Sequence, residues 1–248
     1  MPREERLPGM RVSRDGDIVR VVFDDEATRN ALGGDALAAL TQTISGIRPG
    51  DVLVLAGDGG SFTSGGDRRE LAPRGTFEEQ VTSLRAKAAL VERIRALDAV
   101  SIAAIDGACV GLGVGLAAAC TLRIASERAF LDTAYLRNGM SGDFGAAHLL
   151  GALVGRGTAA DWLLRPRRIP ADELVRRGFC QAQWPSTTFT LETSALAQEL
   201  AAQSSVARQG IVGNLRDADR LDLTHALDAE TRRHVLSKSS PREVLPAL

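Results

Sequence analysis

Cysteine is scarce in this 248-residue chain, and the three present, Cys109, Cys120 and Cys180, form no close pair. Scattered thiols in odd number exclude a secreted disulfide scaffold and a zinc cluster, and they fit the reduced state of the cytoplasm. Histidine is equally sparse: His148, His225 and His234 stand in no spacing that resembles a metal site. Net charge is nearly absent as well, since 30 Lys and Arg face 31 Asp and Glu for a formal charge of -1. No global basic field is therefore available to hold nucleic acid or an anionic membrane. Long apolar runs are missing too. The longest apolar and glycine run, Ala108 to Cys120, is too short to span a bilayer, and the opening MPREERLPGM carries charge where a secretory signal has an apolar stretch. The expectation is a soluble cytoplasmic protein with neither nucleic-acid nor membrane partners. The sequence also lacks low-complexity tracts and any internal period of roughly 20 to 50 residues, which excludes a solenoid.

What is present is enough apolar sequence, 44% of residues, for a sizeable buried core. Asp15-Gly16 favours a tight hairpin turn between Met10–Ser13 and Asp17–Phe23, where Val19, Val21 and Phe23 alternate as in a half-buried strand. Asp35 is placed to cap a helix along which Leu37, Leu40, Ile44 and Ile47 recur until Pro49-Gly50. The compact run Val52 to Ala56 then reads as a buried strand. A second helix follows, with Leu84, Ala88, Val91 and Ile94 on one face and Arg85, Glu92, Arg93 and Arg95 on the other. Val100–Ile105 is a strand, Gly107–Cys120 a turn plus an apolar helix, and Leu122–Ala125 a strand again, an α/β alternation. After Pro185 only helical patterning continues. The division expected is a core over residues 1–185 and a helical region over 186–248 that serves assembly and closes over the site.

Two glycine-rich junctions carry the chemical interest. Gly57 to Gly66 surrounds Phe62 with five glycines, and Gly107 to Gly115 contains Gly111-Leu112-Gly113-Val114-Gly115. At a helix start the first amides have no internal partner and the macrodipole is positive, so two such ends facing one point make an anion hole. Glycines that merely allow close helix packing account for the same composition. Neither junction ends in the Lys-Ser/Thr of a phosphate-binding P-loop, and neither has the spacing of a dinucleotide fingerprint.

In order and wording these segments resemble the crotonase (enoyl-CoA hydratase/isomerase) superfamily. Arg29-Asn30-Ala31-Leu32 is similar to its adenine-side motif, Ser61 to Asp67 to its first oxyanion loop, and Ala103-Ala104-Ile105-Asp106-Gly107 through Ser126-Glu127-Arg128-Ala129 to its central signature. The likeness runs from about Val12 to Gln183. It implies a spiral of repeated ββα units, an acyl-CoA thioester as substrate with coenzyme A as part of it and no separate cofactor, and a homotrimer or dimer of trimers. It places the two oxyanion amides at Gly66 and Leu112 and sets Asn30, Ala31, Ser64, Asp67 and Gly111 along the substrate, although Asp67 by itself reads as the cap of the next helix. Arg29, Arg68 and Arg69 stand near these motifs as basic partners for phosphate. The family's usual closing segment is replaced by Ser237-Lys238-Ser239-Ser240-Pro241-Arg242-Glu243.

Both glutamates of the hydratases are missing. Their positions hold Gly115 and Tyr135, the chain's one tyrosine, and without them water addition lacks its pair of acid/base groups. Asp143, in Gly142-Asp143-Phe144-Gly145, lies where the resemblance puts an acid/base aspartate in dienoyl-CoA and ring-epoxide isomerases. It either moves a proton or caps the helix that follows, and Tyr135 either donates a hydrogen bond to substrate or fills space. The expected activity is double-bond isomerisation with Asp143 as acid/base. The alternatives are an acyl-CoA-binding protein without turnover and another enolate reaction, such as hydration, decarboxylation or C–C cleavage.

Overall fold

A computed structural model describes residues 3–70 and 75–239. The chain begins with β1 (Arg3–Leu7), β2 (Met10–Asp15) and β3 (Ile18–Phe23), three antiparallel strands. The hairpin at Asp15-Gly16 forms as its dipeptide requires, and a second at Pro8-Gly9 adds β1. Next come α1 (Gly34–Ser45), β4 (Val52–Gly57), β5 (Ser61–Thr63) and α2 (Phe77–Arg95). Then follow β6 (Val100–Ile105), β7 (Ala108–Val110), α3 (Leu112–Ala119), β8 (Leu122–Ser126), β9 (Phe130–Asp132) and α4 (Ala146–Val154). The order long strand, short strand, helix thus recurs three times.

The long strands build a seven-stranded sheet in the order β1-β2-β3-β4-β6-β8-β11, parallel from β3 onward, and the short ones a four-stranded sheet in the order β10-β9-β7-β5. The remaining pieces are α5 (Arg156–Leu164), β10 (Ile169–Pro170), α6 (Ala171–Arg176) and β11 (Ala182–Trp184). Last come α7 (Phe189–Ala201), α8 (Ser205–Ala218) and α9 (Leu223–Ser239). Residues 240 to 243 of the atypical closing segment lie outside the described residues.

Strand periodicity explains why β4 and β6 carry apolar residues on both faces, with Ser101 the polar exception. Successive side chains alternate faces, so Leu53, Leu55, Ala103 and Ile105 enter the main core. Val52, Val54, Val100, Ile102 and Ala104 enter a second core, which Phe189 and Ala197 of α7 and Val212 of α8 close. Both faces of the central sheet are dry.

Several local expectations change. Asp35 does not cap α1: Gly33 holds that place, a Cβ there would lie 2.5 Å from Glu70 Oε1, and the Glu70 carboxylate accepts from Gly34 N at 2.8 and 2.9 Å. A distant side chain does what the local one was expected to do. Leu84 is 48% exposed, because only the second half of α2, at Leu90, Val91 and Ile94, reaches the core. The two glycine-rich junctions each hide a three-residue strand, β5 and β7, which pair in parallel. Glycine is required where β6 turns into β7: Gly107 has φ +76, and a Cβ there would lie 1.8 Å from the Gly60 carbonyl oxygen.

Candidate active site

Pairing β5 with β7 brings the two glycine-rich segments side by side, so that a Cβ on Gly65 would touch the Val110 carbonyl at 3.0 Å and lie 3.8 Å from Gly111 Cα. The amides of the first segment can be followed one by one. Ser64 N donates to Arg29 O (2.9 Å), Gly65 N to Thr63 Oγ1 (3.0 Å) and Asp67 N to Leu32 O (3.4 Å). Gly66 N has no acceptor among the described residues. In the second segment Gly111 N donates to Asp132 O (3.0 Å) and Val114 N to Gly111 O (2.9 Å). Leu112, the first residue of α3, keeps a free N–H among the described residues, as helix geometry dictates for a first turn. Gly111, at φ 54 and ψ -120, makes the corner that aims this amide outward, a conformation side-chain-bearing residues avoid. Neither amide is consumed by helix or sheet bonding.

A cleft of about 580 Å³ opens over these segments, lined by Ala31, Ser64, Gly66 and Asp67 on one side and Ala108, Val110 and Asp132 on the other. Asn30 is different. Its side chain is 1% exposed and its amide donates to Asp58 O (2.9 Å) and Ser61 O (2.6 Å), so it braces the first loop from within instead of facing the cleft. The Asp67 carboxylate accepts from Arg69 N (2.9 Å) and is gripped by the Arg69 guanidinium, which holds its pKa below the ordinary value. The bond from Arg69 N lies at the start of the short 3-10 turn Arg68–Glu70. Ser64 Oγ donates to Thr28 O (2.8 Å).

Helix α3 is buried along its whole length, which only a composition of glycine, alanine and aliphatic residues permits. Gly115 stands three residues after Leu112 and so shares its face. A Cβ at Gly115 would lie 2.3 Å from the Phe144 carbonyl oxygen and 2.8 Å from Phe144 Cβ. The segment Gly142-Asp143-Phe144-Gly145 therefore lies directly on the helix, with φ +110, +48 and +70 at Gly142, Phe144 and Gly145.

One of the two readings of Asp143 fails here. The cap of α4 is Gly145, and no side chain bonds the helix start, so Asp143 is not the N-cap. Its Oδ1 is buried and has no hydrogen-bond partner, and the same holds for the Tyr135 hydroxyl, whose residue is 4% exposed. The two groups lie near enough to shift one another's pKa. Burial raises the pKa of Asp143, partly opposed by the tyrosine, and burial together with the Asp143 charge raises that of Tyr135. Buried polar atoms left unpaired are rare in folded proteins and costly to keep, and here two of them stand together. Cys109, Cys120 and Cys180 are all buried, with burial pushing Cys120 and Cys180 up to about 12, and they make poor nucleophiles.

The mouth of the cleft is basic. Arg29, Arg68 and Arg69 are joined there by two residues that the sequence patterns did not single out, Arg137, which pairs with Asp132 at 2.7 Å, and Arg168, stacked 4.7 Å above the Phe130 ring. Arg168 is brought in by β10, too short a strand for periodicity to detect. His148 is exposed on α4, and no group of three or more His, Cys, Asp or Glu among the described residues could hold a metal ion.

Residues 13–243 match the family model for enoyl-CoA hydratase/isomerase. The chain belongs to this family. Relatives within reach of sequence comparison include 4-chlorobenzoyl coenzyme A dehalogenase-1 of Arthrobacter sp, 27% identical over 90% of this chain and 83% of the relative. Another is the peroxisomal Delta(3,5)-Delta(2,4)-dienoyl-CoA isomerase of Arabidopsis thaliana, 26% identical over 92% and 87%. Among solved structures, an enoyl-CoA hydratase from Polaromonas sp. JS666 superposes with a TM-score of 0.83 at 26% identity, over 93% of this chain and 91% of that one. The ββα spiral and the helical C-terminal region are those of the family.

Proposed function

We propose that this enoyl-CoA hydratase/isomerase family member shifts a double bond in an enoyl- or dienoyl-CoA thioester. One observation carries the reading: two unpartnered amides, at Gly66 and at the start of α3, accompany a carboxylate with a buried, unbonded oxygen held against α3, with glycine and tyrosine where hydration calls for two glutamates. The thioester oxygen lies between the N–H groups of Gly66 and Leu112. Asp143, ionised, takes a proton from the α or γ carbon, and the electron pair of that C–H bond moves into the thioester as an enolate. The two amides and the positive end of α3 hold the new charge. The carboxylic acid then returns the proton at another carbon, so the double bond moves and no water is consumed. A carboxylate whose ionised form is disfavoured by burial is a better base than an exposed one. Coenzyme A enters as part of the substrate, and Arg29, Arg68 and Arg168 at the cleft mouth suit its phosphates.

A second reading, halide release from an aromatic acyl-CoA, draws on the two Arthrobacter dehalogenases, which match over 90% of this chain, and on the aromatic ring of Tyr135 beside the carboxylate. A panel of alkyl, enoyl, dienoyl and 4-chlorobenzoyl thioesters, incubated with enzyme in deuterated water and read by mass spectrometry, separates the possibilities. Isomers carrying deuterium support the first reading and lost chloride the second. Hydration, lost carbon, or binding without product from every thioester refutes both. Exposed Ile211, Leu215, Leu223, Leu227, Val235 and Leu236 on α8 and α9 support assembly into a homotrimer or dimer of trimers, which sedimentation equilibrium tests.

A further inference from the structure

The Asp143 segment does not stand free of α3. It occupies space that exists because residue 115 has no side chain. The Phe144 carbonyl oxygen and Cβ lie 2.3 and 2.8 Å from where the first atom of such a side chain would be, closer than non-bonded atoms approach. Phe144 is itself held at φ +48, a conformation a bulky residue adopts only when its surroundings impose it, and its ring is 2% exposed. The ring packs into the main core, so the segment is anchored from below and pressed against α3. Gly113, one residue pair earlier on the helix, receives Thr63 of the first loop in the same manner, with Thr63 Cγ2 2.3 Å from the equivalent position. Helix α3 thus accepts the two halves of the site at two glycines.

We propose that Gly115 is the positioning and specificity-determining residue of the site: its missing side chain seats the Phe144 backbone, and this seat delivers the Asp143 carboxyl to Tyr135. A side chain at 115 and the Asp143 segment exclude one another. At this point of α3 the carboxylate is therefore the one supplied by the loop, and a carboxylate from the helix at position 115 cannot be added while the loop stays in place. The catalytic part of this inference rests on the function proposed above, whereas the seating does not.

The test uses the full-length protein and Gly115→Ala, with Gly157→Ala as the control. Gly157 lies in α5, where a Cβ meets nothing within 4 Å. Two readings are taken. The first needs no substrate: Tyr135 is the sole tyrosine, so the rise of phenolate absorbance with pH reports on it alone. In the parent it ionises above the ordinary tyrosine range because it is buried and faces Asp143 and Cys109. Unseating the loop in Gly115→Ala moves the transition down toward about 10. The second reading is turnover of whichever thioester the panel identifies, where displacement of the carboxylate by about 1 Å lowers kcat by about 100-fold with KM little changed. Gly157→Ala leaves both readings at parental values. An unshifted tyrosine transition in folded Gly115→Ala overturns the seating, and full kcat in that variant overturns the positioning role. If Gly115→Ala does not fold, Phe144→Gly loosens the same contact from the loop side, and the same two readings decide. A panel without any turnover by the parent refutes the proposed function and leaves the tyrosine titration to judge the seat.

Discussion

Replacing Leu112 by proline removes the one N–H that matters and leaves the other backbone bonds of the helix in place. Leu112 is the first residue of α3, its N–H has no acceptor among the described residues, and proline is tolerated at a first helical position for that reason. Gly111, at φ 54 and ψ -120, is outside the helical region that a following proline disfavours. The side chain is also lost, and since Leu112 is 5% exposed this costs roughly 2–3 kcal/mol of stability. Leu112→Ala shares that packing loss and keeps the amide, so the ratio of the two variants isolates the hydrogen bond. Loss of one donor to a developing oxyanion costs roughly 3–4 kcal/mol, or two to three orders of magnitude in kcat. Steady-state kinetics on the active thioester, with thermal unfolding to confirm that both variants are folded, is the assay. If Leu112→Pro and Leu112→Ala turn over within about threefold of each other, the amide does not stabilise the transition state, whatever else the cleft does.

Burial raises the pKa of Asp143 in the folded state, so the fold favours its protonated form. The stability it contributes is present below the ordinary carboxylate pKa and is lost as pH rises through the raised value. Asp143→Asn, neutral throughout, is therefore expected to melt above the parent at pH 8 and to lose that advantage as pH falls below about 4, by calorimetry; the same variant is expected to abolish turnover. Gly107→Ala forces a Cβ to within 1.8 Å of Gly60 O at φ +76 and is expected to cost at least about 2 kcal/mol in urea unfolding. Arg208 is 4% exposed and donates to the carbonyls of Gly50, Leu200, Ala201 and Gln203 as well as to Asp17, joining α8 to the end of α7 and to the turn before β4. Arg208→Ala takes a donor from each of those carbonyls and leaves the Leu200 oxygen its bond from Gln203 N, with an expected loss of about 3 kcal/mol by the same measurement.

The strands, the central helices and the α/β order were written locally, because alternation along β3, the compact apolar run of β4 and the 3.6-residue recurrence along α1 are properties of neighbours in sequence. The loop wording around Gly66 and Leu112 and the missing glutamates at 115 and 135 were equally legible, and they named the family and cast doubt on hydration. Short strands such as β5, β7 and β10 were not, since three residues or fewer hold no period. What only the tertiary structure decided is a matter of space and of hydrogen-bond accounting between segments far apart in sequence. The amide of Gly66 is spare because Arg29, Leu32 and Thr63 take its neighbours, and Glu70, not Asp35, satisfies the start of α1. Asp143 suited the cap of a helix until Gly145 was found in that place and Phe144 resting on Gly115, and no pattern of side-chain types records which backbone fills an empty Cβ position on another helix.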